Sequence, residues 1–345
     1  MDREKLQVGV NLGGWLSQYP ASDQRHFDSF ITAEDIKRIA GWGFDHVRLP
    51  VDYPLLQDEP RAGSPSERGW ACVESCLEWC QQDGLRVILD LHKAPGYTFE
   101  APVESPLFGS PALQERFLAL WQAMTHRFCA QMEDGLAFEL LNEVFLPTSD
   151  PWNALVRRAV AMIRKEDPQR MIVIGANRYN APGELSSLEV TPDPNLLFTF
   201  HFYAPLVVTH QKAPWIQALV EYDRPVDYPG FAPGLEGFLQ AHPEHRDRLG
   251  AEVGKRFDCW YLQSELQPCL DFSLRTNQPV YCGEFGVYEQ ADLTTRLNWT
   301  RDLIDLLHGF GIGRAYWTYK AMDFGLVDEG GQVVNQELIA IISRR

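Results

Sequence analysis

No uninterrupted apolar run in this chain approaches the length that crosses a bilayer, and the opening Met1-Asp2-Arg3-Glu4-Lys5 carries no hydrophobic signal region. Positive charge is scarce. Against 47 Asp and Glu stand 31 Lys and Arg, a net charge of −16, which argues against nucleic acid or anionic membrane as a partner and fits a neutral or cationic ligand. The seven cysteines are an odd number without the arrangement of a disulfide framework. These absences favour a reducing cytoplasm, with secretion as the alternative had a leader been removed. Low-complexity segments, internal linkers and repeats are missing too, so one domain over residues 1–345 is the simplest organisation.

What is present is an ordinary globular composition, 45% hydrophobic and 23% charged, with ten tryptophans and twelve tyrosines. Flat aromatic faces suit sugars, and they equally fill large cores. Hydrophobic segments alternate with helical patterns along the chain. Strands are expected at Val8–Asn11, His46–Leu49 (ended by Pro50), Arg86–Leu91, Leu136–Leu141, Arg170–Gly175, Leu196–Phe202, Val280 onward and Arg314–Tyr319. Between them, Thr32 with Asp35 three residues on reads as a capped helix start. Further helices are expected over Trp70–Gln82, Pro111–Met132, Pro151–Lys165, Gly183–Leu188, Leu262–Arg275, Leu293–His308 and Asn335–Ser343. Eight strand–helix units predict an α/β fold, a (β/α)8 TIM barrel. From about 205 to 261 the rhythm breaks into Pro, Gly and charge, which reads as a subdomain inserted after strand 6 over the C-terminal face of the barrel.

The stretch from Leu136 to Leu141 is mostly apolar with little alternation, as in a strand buried on both faces. It runs into Asn142 and Glu143, at the strand end where such barrels carry their active sites. A second apolar strand, Val280-Tyr281-Cys282-Gly283, ends in Glu284. Two glutamates on two strand ends are what glycoside hydrolysis requires. The other strands also end in polar or aromatic residues: Asn11, Arg48, His92, His201, Tyr203 and Trp317. Each has a plain structural reading. Arg48 salt-bridges a loop, His92 and His201 are metal ligands or satisfied core histidines, Trp317 is core, and Asn11 caps a loop or bonds sugar. A set of them on nearly every strand is harder to explain that way.

The chain resembles the glycoside hydrolases of clan A, family 5, the cellulase family, through Val47-Arg48-Leu49-Pro50, Asp90-Leu91-His92, Leu141-Asn142-Glu143, His201-Phe202-Tyr203, Gly283-Glu284-Phe285-Gly286 and Trp317. Within that family it is similar, nearly end to end, to the bacterial endoglucanase C type, through Gly9 to Trp15, Leu77 to Cys80, Ala94 to Tyr97, Phe138 to Glu143, Thr209 to Ala213 and Tyr281 to Gly286. The resemblance implies a retaining endo-β-1,4-glucanase, active also on mixed-linkage β-1,3/1,4-glucans, without cofactor or metal. It implies Glu143 as acid/base and Glu284 as nucleophile. Arg48 would lower the pKa of Glu284, Tyr203 would hold it, and its charge would raise the pKa of Glu143. Asn142 would bond the sugar 2-hydroxyl, His92 and His201 would position hydroxyls or carboxylates, Trp317 would be the stacking floor, and Asn11 is a further substrate-binding candidate. A monomer binding a β-glucan oligo- or polysaccharide is expected, with no nucleic acid or membrane. The competing readings are β-mannanase or exo-β-1,3-glucanase action, metal-dependent hydrolysis through His92 and His201, and a silent carbohydrate-binding barrel.

Other signals read blandly. Cys72, Cys76 and Cys80 lie on one helix face and suit core packing better than metal. In His242-Pro243-Glu244-His245 the proline breaks the helix that a His-x-x-His pair would want, leaving a solvated loop. Asn298-Trp299-Thr300 is a glycosylation sequon inside an expected helix. Trp215, Tyr222, Tyr228 and Trp260 in the insertion line subsites or pack it on the barrel, and Trp15, Tyr97 and Asn177 are outer-subsite candidates.

Overall fold

The computed structural model describes residues 6–20, 23–58, 64–65, 67–101, 105–132 and 134–345. The signal-region reading of Met1 to Lys5 lies outside them. Eight strands form the barrel: β1 (Val8–Asn11), β2 (His46–Asp52), β3 (Arg86–Lys93), β4 (Leu136–Glu139), β5 (Met171–Gly175), β6 (Leu196–Phe202), β7 (Val280–Phe285) and β8 (Gly313–Tyr316). They close into a barrel in the order β1-β8-β7-β6-β5-β4-β3-β2, with every pairing parallel. Helices α1 (Ala33–Gly41), α2 (Glu67–Gln82), α3 (Pro111–Phe128), α4 (Asp150–Glu166), α5 (Cys259–Thr276), α6 (Leu293–Gly309) and α7 (Gln336–Ile342) surround it. After β5 a 3-10 turn, Pro182–Ser187, stands where a longer helix packs elsewhere. This is the expected (β/α)8 TIM barrel.

Local chemistry explains the element ends. The Thr32 N–H donates to Asp35 Oδ2 at 3.0 Å, closing the capping box that starts α1. Asp258 accepts from the N–H groups of Trp260 and Tyr261, so α5 begins at Cys259, earlier than Leu262. β2 continues through Pro50 to Asp52, because proline removes one donor but keeps an extended-compatible φ. β4 stops at Glu139 and β8 at Tyr316, both short of the expected ends.

The two-residue strand period sorts side chains inward and outward. Leu6, Ile88, Ala137, Met171, Val173, Leu197, Tyr281 and Ala315 fill the barrel interior, while Val47, Leu89, Phe138 and Ile172 face the helices. At the N-terminal end a buried polar group closes the floor. His46 Nδ1 meets Asp45 Oδ1 at 2.5 Å, and its Nε2 meets the Tyr281 hydroxyl at 2.6 Å. Asp45 also accepts from the N–H groups of Gln7 and Val8.

Between β6 and α5 the chain forms short helices, Leu206–Thr209, Gln217–Tyr222, Leu235–Ala241 and Arg246–Leu249, and no strand. Glu252 binds the first of these by accepting from the N–H groups of Leu206 and Val207. Tyr228 ties the segment to α6 through Thr295 and Asp302. Among the described residues no helix is long and apolar enough to cross a membrane, and Cys76 and Cys80 are buried in the core against α2's neighbours.

Candidate active site

Continuing the strand period above the apolar interior layer converts it to polar groups. Ile88 is followed by Asp90 and His92, Ala137 by Glu139, Leu197 by Thr199 and His201, His46 by Arg48, and Gly9 by Asn11. Arg48 is fully buried at their centre. Its Nε and Nη2 clasp Glu139 at 2.7 and 2.9 Å, Nη1 meets Glu284 Oε1 at 2.7 Å, and Nη2 reaches Asn142 Oδ1 at 2.8 Å and Asp90 Oδ2 at 3.0 Å. The plain reading of Arg48 as a loop salt bridge is therefore replaced by a role as the hub of the site. Asn11 is committed elsewhere: Oδ1 accepts from Arg48 at 3.0 Å and Nδ2 donates to the carbonyls of Gly283, Ala315 and Tyr316. With no exposed surface it braces β1 against β7 and β8, which corrects the expectation that it contacts sugar.

Glu143 and Glu284 do converge. One carboxylate oxygen of each lies within 4.8 Å of the other and of a His201 ring nitrogen. Glu284 is aimed by a bulge: Phe200 pairs with Cys282 and His201 with Glu284, so Gly283 is the extra residue. A Cβ at Gly283 would come within 2.6 Å of Thr199 Oγ1 and 3.2 Å of His201 Nε2. This glycine thus marks close approach inside a strand and not a turn. Glu143 lies past the end of β4 with φ of 45°, a left-handed conformation uncommon for a residue with a Cβ. The Tyr97 hydroxyl steadies it by donating to the Glu143 carbonyl at 2.6 Å.

The hydrogen bonds fix the protons. Asn180 Nδ2 donates to His201 Nε2 at 3.1 Å, so His201 carries its hydrogen on Nδ1 and donates to Glu143 Oε1 at 2.8 Å. Burial lowers His201 to about 4 and His92 to about 3, so both are neutral at physiological pH. Burial also raises Glu143 to about 7, Glu284 to about 7 and Asp90 to about 7. The sequence-based cause was different: the charge of Glu284 was expected to raise Glu143, whereas burial comes first and Glu139 adds to it. Arg48 does pull Glu284 down, but burial outweighs it. Four carboxyl groups (Asp90, Glu139, Glu143 and Glu284) surround one buried guanidinium, so near neutrality some must keep a proton. Glu284 accepts from Arg48 and, at 3.1 Å, from the Tyr203 hydroxyl, whose own pKa burial pushes well above the usual value. Glu143 has the His201 bond and no cation in contact. The negative charge therefore settles on Glu284 and the proton on Glu143.

The remaining candidates divide. His92 Nδ1 bonds Asp90 at 2.6 Å and its ring lies parallel to Trp317 at 5.9 Å. Gly13 permits that placement, since a Cβ there would reach within 2.8 Å of the Trp317 ring. His92 is not in the group formed by His201, Glu143 and Glu284, so the two histidines do not face one point together as two-histidine metal hydrolysis would need. Trp15, Tyr97 and Asn177 are buried and bonded to backbone, so they are framework and not outer subsites. Tyr222 and Tyr228 are buried, whereas Trp215 is 53% exposed and packs on His210 and Tyr288. Trp260 stands 73% exposed. Sequence reading missed Asp90, Glu139 and Asn180 as members of the site. The first two were findable, because they sit two residues along an inward-facing strand period from Ile88 and Ala137. Asn180 follows β5 in an irregular turn and gave no signal.

Residues 9–323 match the family of cellulases, glycosyl hydrolase family 5. The chain is 42% identical over 340 residues to Endoglucanase C of Acetivibrio thermocellus, covering 99% of this chain and 98% of that protein. It is 32% identical over 311 residues to Cellodextrinase A of Ruminococcus flavefaciens, covering 89% and 83%. The structure of Thermotoga maritima Cel5A in complex with cellobiose aligns over 98% of both chains with a TM-score of 0.79 at 26% identity. The same protein with mannotriose aligns with a TM-score of 0.78 at 26% identity, again over 98% of both.

Proposed function

The chain belongs to glycosyl hydrolase family 5, the cellulases, and on that premise we propose that it is a retaining endo-β-1,4-glucanase, cutting β-1,4-glucans and mixed-linkage β-1,3/1,4-glucans by double displacement. One observation carries the reading: oxygens of Glu143 and Glu284 lie within 4.8 Å, and of these two carboxylates only Glu284 is bonded by Arg48 and Tyr203. Retaining pairs stand about 5 Å apart, and inverting pairs need roughly 6.5 Å or more to admit a water.

In the first step the Glu284 carboxylate attacks the anomeric carbon as Glu143 gives its proton to the departing glycosidic oxygen. A glycosyl ester forms on Glu284 and the glucan fragment leaves as an alcohol. In the second step Glu143 takes a proton from water, the oxygen attacks the same carbon, and the Glu284 ester bond breaks. Asn142 Oδ1 is held by Arg48, which leaves its amide hydrogens for the sugar 2-hydroxyl. His201 orients Glu143, and Trp317 with His92 forms the flat wall beneath the sugar. Segment 205–261 acts as an inserted subdomain over this face. A monomer is the proposed working unit.

The test is reducing-end release from barley mixed-linkage β-glucan, carboxymethyl cellulose and mannan, with wild type beside Glu284→Gln. Wild type is expected to cut both glucans with an early fall in viscosity, and the variant to lose at least about three orders of magnitude. A variant that keeps most activity sinks the two-carboxylate assignment. A second reading, β-mannan cleavage, is favoured by the mannotriose complex of the Thermotoga maritima protein. Release from mannan alone would replace the glucan reading with it.

A further inference from the structure

The insertion carries a second cluster of metal-type ligands, remote in chemistry from the carboxylate pair. Glu221 lies near the end of the helix Gln217–Tyr222. The helix Leu235–Ala241 gives way at His242 to the turn Pro243–His245. The chain folds back through the partly exposed turn that Pro243 opens, so that one ligand atom each of Glu221, His242, Glu244 and His245 lies within 4.8 Å of the others. His242 Nδ1 stands 3.5 Å from Glu221 Oε2 and 3.6 Å from Glu244 Oε1. Around a tetrahedral ion bound at about 2.0–2.1 Å, neighbouring ligand atoms sit roughly 3.3–3.5 Å apart. The remaining contact, His245 Nε2 to Glu221 Oε2 at 2.7 Å, is a hydrogen bond that an ion would replace.

The rings are already oriented. Phe238, on the helix before the turn, packs against His242 at 4.7 Å and 25° and against His245 at 5.9 Å and 9°. That packing limits ring rotation, so less order has to be imposed when an ion arrives. Two imidazoles with two carboxylates select a borderline ion of the zinc type over calcium or magnesium, which take oxygen ligands. The four side chains are partly exposed, so an ion has access from solvent.

We propose that Glu221, His242, Glu244 and His245 bind one divalent transition-metal ion of the zinc type, joining the helix Gln217–Tyr222 to the end of the helix Leu235–Ala241. The site is independent of the glucanase reading.

The experiment uses the whole protein, stripped with a chelator and titrated with Zn2+ by calorimetry. One equivalent at micromolar affinity is expected, and the double variant His242→Ala, His245→Ala should bind at least about tenfold more weakly. Because seven free cysteines could take zinc instead, the stripped protein is also loaded with Co2+. Tetrahedral d–d absorption without a thiolate charge-transfer band is the expected spectrum. An equivalent that persists in the double variant, a thiolate band, or no binding overturns the proposal. Should the double variant fail to fold by circular dichroism, the partly exposed Glu221→Gln makes the same comparison, and undiminished binding there also overturns it.

Discussion

At the N-terminal end of the barrel, His46 commits both ring nitrogens, one to Asp45 and one to the Tyr281 hydroxyl, and Asp45 takes two backbone N–H groups besides. At the C-terminal end, Arg48 is, among the described residues, the one cation in contact with Asp90, Glu139 and Glu284, and it makes no contact with Glu143. Both groups are buried, and two strands carry members of each, His46 and Arg48 on β2 and Tyr281 and Glu284 on β7. The floor matches donors to acceptors, which is how a buried polar cluster stabilises a fold. The mouth crowds acids around too little positive charge, which raises carboxyl pKa values into the range where proton transfer is useful. Placing Glu143 in a left-handed conformation adds a local cost that the floor does not bear.

The largest effect should come from Arg48→Lys. The charge survives, but an ammonium has three donors and no planar fork, so Glu139 and Glu284 cannot both be held as they are. Unfolding free energy is expected to drop by about 3 kcal/mol, and activity on barley β-glucan by at least about a hundredfold. Wild-type denaturant midpoint and activity together would show that the mouth does not depend on this hub.

Tyr203→Phe separates chemistry from folding. It removes one hydrogen bond to an ionised carboxylate, so kcat should fall about tenfold to a hundredfold. The acid limb of the pH–rate profile should move up, because the charged form of Glu284 loses a donor. A lowered Tm with an unmoved limb would make Tyr203 a packing residue. His46→Phe is its mirror at the floor. It takes a partner from Asp45 Oδ1 and from the Tyr281 hydroxyl, lowering stability by about 1–3 kcal/mol, while kcat stays within about twofold. A kcat that follows the loss of stability would erase the division between the two ends.

The barrel was legible because eight apolar segments recur with helical patterns between them, and Val8–Asn11 and Leu196–Phe202 were bounded to the residue. The convergence of Glu143 and Glu284 was legible because each follows an apolar run. Asn11 misled because its backbone place, at a strand end, says nothing of which atoms its amide meets; only the register with Gly283, Ala315 and Tyr316 reveals three waiting carbonyls. The approach of Glu221 to His242, Glu244 and His245 was not legible for a related reason. Glu221, the ligand that completes the group, lies on a separate helix, and no local spacing encodes that approach. The cause of the raised pKa of Glu143 was misjudged because burial is a property of the closed barrel and not of neighbouring residues.

The finest comparison is between the two glutamates themselves, and it is read in stability rather than activity. Burial raises both to about 7 from an ordinary 4.5. A carboxyl whose folded pKa lies above its unfolded one favours folding below about pH 4.5, and that contribution is lost as pH rises through 7. Glutamine stays neutral throughout, so Glu143→Gln should match wild type in Tm near pH 4.5 and exceed it at pH 8, by on the order of 2 kcal/mol. Glu284→Gln should gain less at pH 8, because the substitution also takes a negative partner from Arg48. Thermal melts of the three proteins at the two pH values rank them. If Glu284→Gln gains as much as Glu143→Gln, or more, the shared proton rests on Glu284, and the proposed acid/base and nucleophile exchange places.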